Sequence, residues 1–417
     1  MPVPTPPAPQ GPAGTLDPSF GTGGIVLTQV GDHGGSAGAV MLQPDDKIVA
    51  AGSASVGNSA GRSLVRYNAD GSLDPAFGSG GKVVVLDVGG ATGATLQPDG
   101  KIVTVGTWGS SGPAGYCMLA RFRSDGSLDP NFGNGDVVAA QLANPDSTPV
   151  LSTYCGGVAL QPDGKSVVAA AGQPIHGGTI GLGAMRFNAD GTRDTSFGAG
   201  GSIVVPMTYP YIRTTSVALQ PDGKIIVVGG DIDSTPGLQV RNNETMLMRL
   251  DPTGMLDASF GQGGTVRILR NEGAFLAIPA IALQPDGKIV LLGVWGQVLR
   301  LLPNGALDSN FGQGGAAHDI YGFTVAVQAN GKIVIAGFSP PTNGAGNFAL
   351  WRLTAEGLPD AGFGNGGSVT TPIGINSQAG SVAIQRDGRI VVGGSTVPSL
   401  DAVVARYFGD PVATSPP

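Results

Sequence analysis

Residues 73–81 read LDPAFGSGG, and residues 96–106 read LQPDGKIVTVG. Each string is one copy of a motif that recurs seven times. The first, LDxxFGxGG, places its phenylalanine at Phe20, Phe77, Phe132, Phe197, Phe260, Phe311 and Phe363. The matching aspartates run from Asp17 to Asp360, a mean period of about 57 residues. The second, LQPDGKIVxxG, starts from Gln43, Gln97, Gln161, Gln220, Gln284, Gln328 and Gln385. A third landmark is an arginine before an aromatic residue or leucine: Arg66, Arg121, Arg186, Arg249, Arg300, Arg352 and Arg406. Self-similarity at a fixed period marks a repeat architecture and overrides the two or three domains that 417 residues would otherwise suggest.

Each repeat reads as four short strands. Strand A is the VALQ-type segment, apolar enough to pack on both faces. Asp-Gly then closes a tight hairpin, with Gly accepting positive φ. Strand B is the β-branched KIVVAG-type segment. Strand C carries the arginine, a turn such as NADG follows, and strand D is the segment GGKVVVLDV in the first complete repeat. Seven such units predict an all-β fold, a seven-bladed β-propeller of four-stranded blades. A solenoid would need atypical capping repeats, and neither end shows one. Residues 15–30 instead supply a strand D with no A to C before it, and the last repeat has A to C with no D after it. The expectation is a ring closed by an N-terminal outer strand, residues 15–30 completing the last blade and leaving no open edge. The propeller then spans 15–408, with a Pro-rich spacer at 1–14 and a tail at 409–417.

Composition agrees. The chain has 71 Gly and 32 Pro, about a quarter of its residues, which rules out a helical bundle. Gly does not fall at every third position, so collagen is excluded. With 41% hydrophobic residues the chain can bury a core. A net charge of −7 offers no basic face for nucleic acid, and no stretch of 18 apolar residues suggests a membrane span. The first residues lack the basic and apolar regions of a signal peptide. A secreted or cell-surface location, with the export signal absent from this chain, is the leaning; a monomer is expected.

The paired motifs resemble the bacterial delta-60 repeat family, a β-propeller repeat, across about residues 15–408. The departures are Asp46 for the turn Gly, Asp136 for the last motif Gly, Asn330 for the turn Asp, and Pro359 before Asp360. The resemblance implies the fold and carries no catalytic residues or cofactor.

Spacing locates the variation. From the strand C arginine to the motif phenylalanine the distance is 11 residues in all six complete cases. The intervals across the B–C and D–A loops vary widely. Strands within a blade are antiparallel, so the constant A–B and C–D turns share one face of the disc and the variable loops share the other. Insertions and binding in repeat proteins concentrate on one face, so the loop face is the expected ligand surface. Its candidate residues are Trp108, Tyr116, Tyr154, His176, Tyr209, Tyr211, Asp231, Asp233, Trp295 and Tyr321. Aromatic rings with a polar rim suit a glycan or a protein partner.

Other constellations read as structure. The seven glutamines are expected to tie down local turns or neighbouring blades. The Arg/Asp pair, for example Arg66 with Asp74, is expected to fix the C–D turn, with the motif phenylalanine as a wedge between blades. The calcium-like NADGSLD at 68–74 loses its ligand pattern in other repeats and reads as a plain turn. The pair Asp231 and Asp233 reads as an exposed loop rather than a cation site. His33, His176 and His318 fall in different blades, so no metal is expected. The Gly-rich FGxGG loops lead into strands rather than helices and are not phosphate cradles. Cys117 and Cys155 are expected on one face of adjacent blades, as two separate small hydrophobes in preference to a disulfide. The function expected is a non-enzymatic binding scaffold. The alternatives are a polysaccharide lyase or hydrolase at the channel mouth, using His176 with Asp231 or Tyr209, and a structural module of a surface assembly.

Overall fold

The computed structural model describes residues 11–410 apart from 33, 110–114, 134, 143–149, 175–180, 208–213, 231–243, 270–279, 294–295, 340–345 and 398–400. The motif strings become strands where they were expected. In blade 2, strand A is Gly93–Leu96, B is Ile102–Trp108, C is Tyr116–Phe122 and D is Val137–Ala140. They pair in chain order and antiparallel. Six blades follow this order. The seventh joins Asn376–Ile384, Ile390–Val397 and Ala402–Tyr407 to Ile25–Thr28, the strand nearest the N-terminus. Inner strands of successive blades lie side by side, and Asn376–Ile384 packs on Ala39–Leu42 of blade 1 to close the ring.

The ring has seven cores rather than one. Each of the seven hydrophobic clusters among the described residues lies between two adjacent blades. The motif phenylalanine sits in every interface, essentially inaccessible. Burying one such ring contributes about 2–3 kcal/mol, so the motif alone sets down seven equal anchors.

The chain ends complete the last turn between them. In blade 1 the C–D turn is closed by Gly71 N–H to Asn68 O at 2.9 Å and Asn68 N–H to Ser72 O at 2.8 Å. In blade 7 the same two bonds run between the termini, Gly14 N–H to Phe408 O at 2.7 Å and Phe408 N–H to Thr15 O at 2.9 Å. Residues 13–17, AGTLD, thus stand where DGSLD stands at 70–74.

Two motif departures keep the backbone they replace. Asp46 and Asp136, where the motif has Gly, adopt φ of 64° and 71°. Aspartate tolerates this left-handed region better than most residues, so the turn survives the substitution.

Candidate functional site

The repeated polar residues are consumed by one device, built seven times on the turn face. The strand C arginine donates from Nε to the motif aspartate at 2.7–2.9 Å: Arg66 to Asp74, Arg121 to Asp129, Arg186 to Asp194, Arg249 to Asp257, Arg300 to Asp308, Arg352 to Asp360 and Arg406 to Asp17. Its guanidinium lies 4.5–4.8 Å from the centre of the motif phenylalanine ring in every blade. The other aspartate oxygen accepts a backbone N–H two residues on, at 3.0–3.1 Å. A cation just before strand B reaches the oxygen that takes the arginine, as Lys165 does at Asp194 (2.9 Å) and Arg389 at Asp17 (2.8 Å).

The device reaches into the next blade. In six blades Nη1 donates to a carbonyl of the following C–D turn, those of Ser124, Ala189, Pro252, Pro303, Ala355 and Ala69. Blade 6 differs because the turn it would meet is split between the termini. There Arg352 Nη2 pairs with Asp410 at 2.9 Å. Burial would raise the pKa of these aspartates, but hydrogen bonds and cations outweigh it and hold all seven below the usual value. At Asp257, where the Ser259 hydroxyl is the strongest influence, the pKa falls to about 2. The Arg/Asp pairs and the phenylalanine wedges are therefore structural, as the repeat implied. Of the motif glutamines, Gln284 takes the same part: it donates to Gly331 O at 3.0 Å and Ala355 O at 3.1 Å, both in the next blade.

The loop face is built differently in each blade. Trp108 and Tyr116 lie opposite each other across the B–C hairpin of blade 2, each 39% exposed. Next to them Cys117 and Cys155 form a disulfide, with Cα atoms 5.5 Å apart. This corrects the expectation of two unpaired residues. The cause is the length of strand A in blade 3, Val150–Leu160, which begins well before the VAL segment that the repeat suggests. Its early part runs beside strand C of blade 2, with Thr153 N–H on Gly115 O at 2.9 Å, and so sets Cys155 against Cys117.

In blade 1 the residue equivalent to Cys117 is Arg62, fully buried and without a described carboxylate partner. Its five hydrogen bonds go to Thr104 Oγ1 at 2.8 Å and to the carbonyls of Met118, Val88, Thr104 and Gly89 at 3.1–3.3 Å. Burial lowers its pKa to about 10, which leaves it cationic at neutral pH.

Of the remaining candidates, Tyr154 is half-buried on strand A of blade 3. Tyr321 is half-buried beside the inner strand of blade 6, its ring 6.3 Å from that of Phe338. His176, Tyr209, Tyr211, Asp231, Asp233 and Trp295 lie outside the described residues. Among the described residues no group of three or more His, Cys, Asp or Glu is placed to hold a metal ion. No described helix is long and apolar enough to cross a membrane.

One residue that the motif reading passed over is Trp351, half-buried on strand C of blade 6. Its place, just before the clamp arginine, is held by Val65, Ala120, Met185, Met248, Leu299 and Ala405 in the other blades. The signal was a single departure within a repeated position.

Among solved structures the chain is similar to a glucose dehydrogenase (14% identity, TM-score 0.44, covering 78% of this chain and 97% of that one). It is also similar to the polysaccharide lyase Uly1 (12%, 0.48, 90% of each chain) and to an α-L-arabinofuranosidase from Fusarium graminearum (12%, 0.44, 84% and 98%). No residue role is carried over from them. Among curated proteins there is no match. A family model described as a β-propeller domain of unknown function (DUF5122) matches residues 43–77, 97–132, 161–197, 220–260, 284–311, 328–363 and 385–410, one segment per blade. With its motifs carried around the whole ring, this chain belongs to the DUF5122 β-propeller family.

Proposed function

We propose that the protein is a non-enzymatic binding scaffold whose loop face takes a glycan or a partner protein. The observation that carries this reading is the Trp108–Tyr116 pair. Two aromatic side chains stay exposed at the same level of one hairpin, and the disulfide beside them restrains that hairpin against blade 3. Rigid aromatic contact area gives affinity at low entropic cost. The repeated charged groups, by contrast, are engaged in holding blades together and are not free for acid–base chemistry. The lyase or hydrolase alternative rests on His176, Tyr209 and Asp231, and no described feature favours it. The buried disulfide supports an oxidising location outside the cytosol, in line with secretion or cell-surface display.

Binding of the full chain to a glycan array and to extracts of surface proteins tests this reading. Trp108→Ala and Tyr116→Ala are each expected to weaken the strongest interaction at least tenfold without lowering the melting temperature. Unchanged affinity in both variants would remove the loop-face assignment.

A further inference from the structure

The outer rim carries a second feature, between blades 5 and 6. Six residues after the motif phenylalanine, strand D has Val26, Val83, Val138, Ile203, Val266 and Val369, but Ala317 in blade 5. In four of the other six interfaces this side chain is among the atoms nearest the turn glycine of the next blade, the exceptions being those at Gly191 and Gly254. A Cβ placed on Gly71 would lie 3.0 Å from Val26 Cγ2, one on Gly126 2.8 Å from Val83 Cγ2, and one on Gly305 2.7 Å from Val266 Cγ2. At Gly357, the matching glycine of blade 6, the three nearest atoms all belong to Phe311. Ala317 has no γ-methyls to offer. The interface holds a groove of about 360 Å³, with Trp351 and Leu358 among its walls and Gln313, His318, Asp319 and Ser368 among its polar lining; the matching groove between blades 4 and 5, beside Val266, is about 420 Å³ and has no aromatic wall.

Two departures from the repeat therefore meet at one interface: a small residue where six blades have a β-branched one, and a tryptophan where six have a smaller aliphatic or Met residue. The tryptophan is not swallowed by the core, as Met185 and Met248 are at the same place. It stays half-buried and borders the groove.

We infer that this groove is a binding site for a neutral sugar ring, separate from the loop face. An indole that is partly exposed offers a flat apolar surface to the C–H face of a pyranose. Imidazole, carboxylate, amide and hydroxyl groups around it suit the ring hydroxyls. The lining holds one carboxylate and no Lys or Arg, so phosphates and acidic sugars are disfavoured. The volume fits a small ligand, whereas a stable protein partner needs a patch of about 800 Å².

The test uses the full chain in affinity electrophoresis against soluble β-glucan, arabinoxylan and galactomannan, with polygalacturonate as the acidic comparison. At least one neutral polysaccharide should retard the protein, and polygalacturonate should not. Trp351→Leu, which gives the groove the residue that blade 5 has at this place, should weaken that binding at least tenfold. The exposed His318→Ala, which leaves the core untouched, should weaken it several-fold and covers the case in which a core variant misfolds. Trp108→Ala should leave it unchanged. Retention of binding in folded Trp351→Leu overturns the proposal, as does failure of all three neutral polysaccharides to bind. Loss in Trp108→Ala alone also overturns it, while supporting the loop-face reading.

Discussion

The two faces of the disc solve the same problem in opposite ways. On the turn face, neighbouring blades are joined by one arginine–aspartate–phenylalanine clamp, seven times over. On the loop face, the position four residues before that arginine is Arg62, Cys117, Leu182, Thr245, Gly296, Phe348 and Ala402. All seven are buried, yet they range from a guanidinium and a disulfide to small, aliphatic and aromatic side chains. Arg62 binds carbonyls of the next blade, Cys117 bonds to Cys155, and the ring of Phe348 packs on Gly394 of blade 7. A clamp that must work in every interface is held to one solution. A contact that only fills space between two particular blades is free to differ, and so are the loops above it.

That contrast is open to direct tests. Removing a clamp arginine should have the largest effect, because it strands a buried carboxylate. Arg121→Ala is expected to cost about 3–5 kcal/mol, and Arg186→Ala about the same, read from urea unfolding. Widely different values for the two would mean that the turn face is not uniform.

Opening the loop-face disulfide should come next. The bridge closes a loop of 38 residues, for which the chain-entropy model gives about 4 kcal/mol. The double variant Cys117→Ala with Cys155→Ala is expected to lose about 2–4 kcal/mol, and the unreduced wild-type chain, denatured, should show no free thiol.

Acid should separate the faces. The seven clamp aspartates have folded pKa values below the ordinary 3.8. A depressed carboxyl contributes stability that is complete above its unfolded pKa and is lost as pH falls through the folded one. The melting temperature should therefore be flat with respect to these groups above about pH 5 and drop steeply between about pH 4 and 2. A drop of the same size in a variant lacking two clamps would count against this cause.

The smallest expected effect lies at the motif departures. Asp46→Gly and Asp136→Gly restore the residue that prefers positive φ, and each should stabilise by up to about 1 kcal/mol. Loss of stability would mean that these side chains contribute more than their backbone strain costs.

Much of this was readable beforehand, and the reason is repetition. Arg66 and Asp74 recur at constant spacing, so their partnership could be inferred without coordinates. The complementary ends, LDPSF at 16–20 and ARYF at 405–408, pointed to the closing strand, which pairs Ile25 with Ala405. The disulfide was not readable, because it depends on how far strand A of blade 3 extends ahead of its motif. Trp351 was passed over because the repeat was read for what it shared. Ala317 hid in the same way. The candidate loop residues are less well placed: of ten, Trp108, Tyr116, Tyr154 and Tyr321 are described, and the first two face each other.

The amino-acid sequence by itself determined the number of blades, their four strands and the clamp that joins them. Those features follow from local periodicity and from residues a fixed distance apart along one chain. Only the tertiary structure decided which departures meet across an interface. Cys117 and Cys155 are 38 residues apart, and Ala317 and Trp351 are in different blades. Contacts between blades depend on strand length and side-chain volume on two surfaces at once, and a repeat pattern specifies each surface without saying how its exceptions face one another.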